Sequence, residues 1–110
     1  MERSGRDARR STRLSLEIPV VVTSLDPAHT FREECNTVVV NVHGCGVIVH
    51  EHLESETPIM VELPSSGAKK KASVVAAVPS VKGASWLLGV AFDSPENFWQ
   101  VERPPADWAA

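Results

Sequence analysis

From Leu14 the chain alternates with a period of two: Leu14, Leu16, Ile18, Val20 and Val22 fall on one face, and Ser15, Glu17, Val21 and Thr23 on the other. That is the pattern of a half-buried strand. Pro19 has no N–H to give a ladder, so its place is an unpaired edge or a bulge. Asp26-Pro27-Ala28-His29 has turn chemistry. Residues 35–43 (CNTVVVNVH) alternate again, with Val38, Val40 and Val42 on one face; Gly44 and Gly46 interrupt, and Val47-Ile48-Val49 resume. Pro58 to Leu63 places Ile59, Val61 and Leu63 together. A Pro-Ser-Ser-Gly turn and the lysines 69–71 come next, then strands at Ser73–Val78 and Ser85–Phe92.

About six short strands with turn signals every eight to twelve residues predict an antiparallel barrel or sandwich. Open edges invite pairing between molecules, and closure removes them, which favours the barrel in so short a chain. One stretch differs: Ser94 as N-cap and Pro95 at the first helical position open a short helical turn over Glu96–Gln100, and Pro104-Pro105 forbid its continuation. The tail Ala106-Asp107-Trp108 is expected to fold its indole back onto the barrel.

A chain of 110 residues is a single domain that buries roughly two thirds of the surface its unfolded form exposes. The composition, 43% hydrophobic and 23% charged, is that of a globular protein and argues against wholesale disorder. Tyrosine is absent, so the core falls to Val, Leu, Ile and Ala. The polar opening MERSGRDARR lacks the apolar stretch of a secretory signal, and no run approaches the roughly eighteen apolar residues of a spanning helix. The expectation is a soluble, cytoplasmic protein without membrane insertion, with Cys35 and Cys45 as reduced thiols.

Charge is unevenly distributed. Residues 1–13 carry a net +3 from five arginines, whereas residues 14–110 carry a net −6. A basic tip on an acidic body is poorly suited to long nucleic acid, whose affinity comes from many phosphate contacts. It suits a small anion.

Catalytic motifs are lacking: there is no nucleophile elbow, P-loop or paired-carboxylate pattern. His43, Cys45, His50 and His52 are ligand types, but their spacing matches no established zinc motif, so neither catalysis nor a metal is expected. Lys69, Lys70 and Lys71 read as a solvated hairpin that discourages edge pairing. Arg9, Arg10 and Arg13 are more pointed. A guanidinium is always charged, offers a planar fork to phosphate oxygens or to the O6/N7 edge of guanine, and stacks on bases. Two such forks across a three-residue spacer could fold over a ligand lying against the barrel.

In its order of parts the chain resembles the PilZ family. Arg9-Arg10-Ser11-Thr12-Arg13 matches an R-x-x-x-R element before the first strand. Asn41-Val42-His43-Gly44-Cys45-Gly46 matches a [D/N]-x-S-x-x-G element at Asn41 and Gly46, and Gly89–Phe92 is similar to the family's closing strand. The resemblance implies a six-stranded antiparallel split barrel with a short C-terminal helix. It also implies a flexible basic segment over residues 1–8, a domain over 9–103 and a tail over 104–110. By the same resemblance the ligand is cyclic di-GMP, with no other cofactor. Arg9 and Arg13 would clamp phosphates and guanine edges, Arg10 would add charge or stacking, Asn41 would bond a guanine, and Gly46 would allow the backbone turn. His43 stands where the family has serine. The implied function is that of a non-catalytic bacterial receptor whose arginine arm closes over the nucleotide and signals to an effector protein. The alternative is a degenerate adaptor that binds protein without nucleotide.

Overall fold

The alternating valine and isoleucine runs form six strands in a computed structural model that describes residues 11–80 and 83–108. They are β1 (Pro19–Ser24), β2 (Arg32–Asn41), β3 (Gly44–Val49), β4 (Pro58–Leu63), β5 (Ala68–Pro79) and β6 (Trp86–Phe92). Every neighbouring pair is antiparallel, in the order β1-β2-β3-β6-β5-β4, and β4 returns to β1. The sheet is therefore a closed barrel and not a sandwich. The expected leading segment 1–8, together with Arg9 and Arg10, lies outside the described residues. Among the described residues no helix is long and apolar enough to cross a membrane.

Inward positions of the strands fill the lumen: Val20, Val22, Val47, Val61, Val74 and Leu88 are at most 1% exposed. Burying each such side chain contributes about 1.5–3 kcal/mol before the entropy of ordering is counted. Phe92, Phe98 and Trp99 pack together, with ring centroids 5.2 to 5.7 Å apart, and Trp108 joins the same core.

Four details depart from the alternation. β1 starts at Pro19, not Leu14, because the Thr37 side chain takes the place of ladder bonds. Ile18 N–H donates to Thr37 Oγ1 (2.9 Å), Thr37 N–H donates to Ile18 O (3.0 Å), and Thr37 Oγ1 donates to Leu16 O (2.6 Å). Pro19 then occupies the first position of a strand, one of those open to proline.

Val38 does not share a face with Val40 and Val42. A bulge between Thr37 and Val39 turns it outward, 41% exposed, as an extra residue in one strand must. The lysines are not confined to a hairpin. β5 runs through them, and Lys70 falls on the inward row, its Nζ 2.8 Å from Glu96 Oε1 and 3.2 Å from Ser94 Oγ.

The helical turn expected over Glu96–Gln100 does not form; helical structure among the described residues is a single 3-10 turn at Ala106–Trp108. The Asn97 amide competes for the backbone instead, accepting from Val101 N–H and donating to Val101 O, both at 3.1 Å. Gln100, at φ 58, reverses the chain and lets both Phe98 and Trp99 be buried.

Candidate functional site

Beyond its break at residues 15–17 the leading chain rejoins β2 at one point. Leu14 N–H donates to Val40 O and Val40 N–H to Leu14 O, each at 2.9 Å. The pairing is antiparallel, so Arg13 falls opposite Asn41.

Asn41 ends β2, and Val42-His43 form the two-residue turn into β3. Asn41 Oδ1 accepts the His43 N–H at 2.8 Å, an Asx turn that leaves the Asn41 amide NH2 pointing to no partner among the described residues. Gly44 is the residue the turn requires. A Cβ there would lie 1.8 Å from Val90 O. Gly46 is therefore not the turn glycine: it sits within β3, directly opposite Gly89 of β6.

This glycine pair opens a groove on the outer barrel wall of about 360 Å³, lined by Arg13, Asn41, His43 and Gly46 among others, within the range of small-molecule sites. Its sides are the residues that two bulges push out, Val38 of β2 and Val75 of β5, 41% and 54% exposed. A side chain at Gly46 would begin 3.1 Å from Val39 Cγ1 and 3.5 Å from Leu87 Cδ1, and one at Gly89 3.3 Å from Val75 Cγ2. The missing Cβ atoms thus make the trough. Arg13, Asn41 and His43 gather at the turn end, so the groove joins an apolar slot to a cationic, hydrogen-bonding end. That combination accommodates a planar ring attached to an anion.

The fold is similar to that of a motility inhibitor. The Bacillus subtilis inhibitor of motility MotI/DgrA superposes with a TM-score of 0.59 over 80% of this chain and 44% of its own, at 11% identity. This chain accordingly spans less than half the length of MotI/DgrA, and the likeness establishes the architecture alone. No family model and no curated protein matches the sequence.

On this MotI-like barrel four of the residues singled out in the sequence, Arg13, Asn41, His43 and Gly46, come together at one groove. Arg9 and Arg10 lie outside the described residues. The histidine and cysteine group, by contrast, is spread along a strand: His43 and His50 flank opposite ends of β3, about 20 Å of extended chain. His50 Nδ1 lies 2.6 Å from Glu33 Oε2, and His52 meets the Trp86 ring edge-on. Burial pushes the Cys45 thiol far up, with Cys35 as a second cause, and pushes Cys35 up to about 12, with Glu33 adding. Neither is a ready thiolate.

Sequence reasoning placed Gly89 in the closing strand without seeing its role opposite Gly46, and it missed the bulged valines as groove walls and the support behind the turn. Asn41 O accepts from Trp99 Nε1 at 2.9 Å, Val42 O from Glu96 N–H at 2.9 Å, and His43 O from Phe92 N–H at 2.7 Å. Phe98 and two tryptophans in a proline-rich closing segment were the available signal.

Proposed function

We propose that this chain is a non-catalytic receptor of the PilZ kind for cyclic di-GMP. The single observation that carries the reading is the ladder contact between Leu14 and Val40, which holds Arg13 across from Asn41 at the mouth of the groove. In this reading a guanine slides flat over Gly46 and Gly89 between Val38 and Val75. Arg13 pairs with a phosphate or with the O6/N7 edge, and the Asn41 NH2, without a partner among the described residues, donates to a ring acceptor. Arg9 and Arg10 close from the leading arm, and the net +3 of residues 1–13 matches two phosphates. Closure over the ligand changes the surface offered to an effector protein, and the arginines supply the differential affinity that such a shift needs. The fold likeness to an inhibitor of motility is compatible with a regulator that acts by binding.

Isothermal titration with cyclic di-GMP tests this. The wild type should bind, and Arg9→Ala and Arg13→Ala should each lose about 2–3 kcal/mol, about 30- to 150-fold. Silence of the wild type up to about 100 μM ligand rejects the receptor; undiminished binding by both variants rejects the roles.

A second reading, a protein-binding adaptor without nucleotide, draws on His43 at the serine position and on the exposed Val38 and Val75. A silent titration, together with a partner complex indifferent to saturating cyclic di-GMP, selects it.

A further inference from the structure

The two halves of the groove's polar end lie far apart in sequence, yet one segment is bonded to both. Thr12, the residue before Arg13, has all its polar groups engaged by the 3-10 turn Ala106–Trp108. Its N–H and Oγ1 donate to Asp107 Oδ2 at 3.0 and 2.9 Å, and its carbonyl accepts from Trp108 Nε1 at 2.7 Å. Earlier in the same segment, Trp99 Nε1 and Glu96 N–H hold the carbonyls of Asn41 and Val42. The segment is itself fixed to the barrel: Trp99 and Trp108 are each 6% exposed, and Lys70 ties down Glu96 and Ser94.

We infer that Asp107 and Trp108 are positioning residues for Arg13, and that docking of the 106–108 turn is thermodynamically linked to occupancy of the groove. The inference rests on the receptor reading above. Thr12 is exposed although Ser11 before it is buried, and at Thr12 itself the turn supplies the polar contacts. Without the Asp107 acceptor, the chain preceding Leu14 gains backbone freedom, and a ligand that needs Arg13 opposite Asn41 must restore the order from its own binding energy. Linkage is reciprocal: a ligand that tightens Arg13 against Asn41 also tightens the turn. The C-terminal turn is then the part of the molecule in which occupancy can be read by a partner. Trp108 reports it directly.

The test uses the full chain. Amide hydrogen exchange at Thr12 is measured without ligand, and cyclic di-GMP affinity by titration, for wild type, Asp107→Ala, Asp107→Asn, Trp108→Phe, Arg13→Ala and the Arg13→Ala/Asp107→Ala double variant. Asp107→Ala should lose Thr12 amide protection and weaken binding about 5- to 30-fold. Asp107→Asn keeps an acceptor oxygen and should stay within about 3-fold of wild type. Trp108→Phe keeps a packed ring, loses the donor, and should weaken binding in the same direction as Asp107→Ala. In the Arg13→Ala background Asp107→Ala should cost clearly less than in the wild type, since residues that act through one another are not additive. A binding wild type with wild-type affinity in Asp107→Ala overturns this inference alone, as do unchanged Thr12 exchange or full additivity in the double variant. Wild-type silence toward cyclic di-GMP overturns the receptor reading, and this inference with it.

Discussion

Leu14 and Val40 exchange two backbone hydrogen bonds of 2.9 Å, and through them Arg13 stands opposite Asn41 although their positions are distant in sequence. Arg13 is exposed, so its attraction for an anion acts through a solvent-accessible mouth and is open to screening. Affinity for cyclic di-GMP should therefore fall as ionic strength rises from about 0.05 to about 0.5 M, over which the Debye length shrinks from roughly 14 to 4 Å. Arg13→Ala should show a shallower dependence. Titrations across that range check it; a salt-independent wild type would remove the guanidinium from the binding account.

The two glycines around the turn have separable roles, and substitution should separate them. At Gly44 a Cβ would sit 1.8 Å from the Val90 carbonyl oxygen, a backbone contact that no rotamer relieves. Gly44→Ala should destabilise the barrel by more than about 3 kcal/mol. At Gly46 a Cβ meets only side chains, the nearest at 3.1 Å, and they line the groove. Gly46→Leu should leave a folded barrel with its trough filled and its nucleotide binding abolished. Thermal melts and titration together distinguish the cases: equal melting of the two variants contradicts the assignment.

The alternation of valines disclosed most of the barrel, since inward and outward positions on a strand differ by one residue and the lumen is filled mainly by apolar ones. It failed where a side chain or an extra residue replaces the ladder. Thr37 looks like any strand threonine, and nothing local announces that its hydroxyl will bridge to Leu16 and Ile18. Val38 sits in an unbroken valine run, so the bulge that exposes it is visible only from the register with Gly46. Asn97 was hidden by a plausible helix start at Ser94-Pro95, because the competing amide contact to Val101 depends on where Phe98 and Trp99 are buried. The arginine motif and Asn41 were legible as residue types, but Gly89 gained meaning only once β6 lay beside β3.

Thr37 offers a clean measure of that side-chain bridge. It is fully buried and serves as acceptor for Ile18 N–H and donor to Leu16 O. Thr37→Val preserves shape while leaving both backbone groups without partners. The expected loss is about 1–3 kcal/mol, with the leading segment exchanging faster at Ile18. Chemical denaturation with unchanged slope and a lowered midpoint is the expected signature; an unchanged midpoint would mean that water replaces the hydroxyl.

Cys45 predicts how the barrel responds to alkali. Burial, then Cys35, raises its thiol pKa in the folded state, whereas the unfolded chain ionises it near the ordinary value of about 8.5. Above that value the unfolded state holds fewer protons than the native one, so stability falls as pH rises. The contribution is fully present below about pH 8.5 and is lost at up to about 1.4 kcal/mol per pH unit above it. Cys35, raised to about 12 by burial and Glu33, adds a loss of the same sign that ends near that pH. Cys45→Ala should be less stable than wild type at pH 7, because it leaves a small cavity, yet should show a shallower decline between about pH 9 and 11. Denaturant midpoints across that range decide it. Parallel declines in the two proteins would show that the thiol ionises as readily in the barrel as in the unfolded chain.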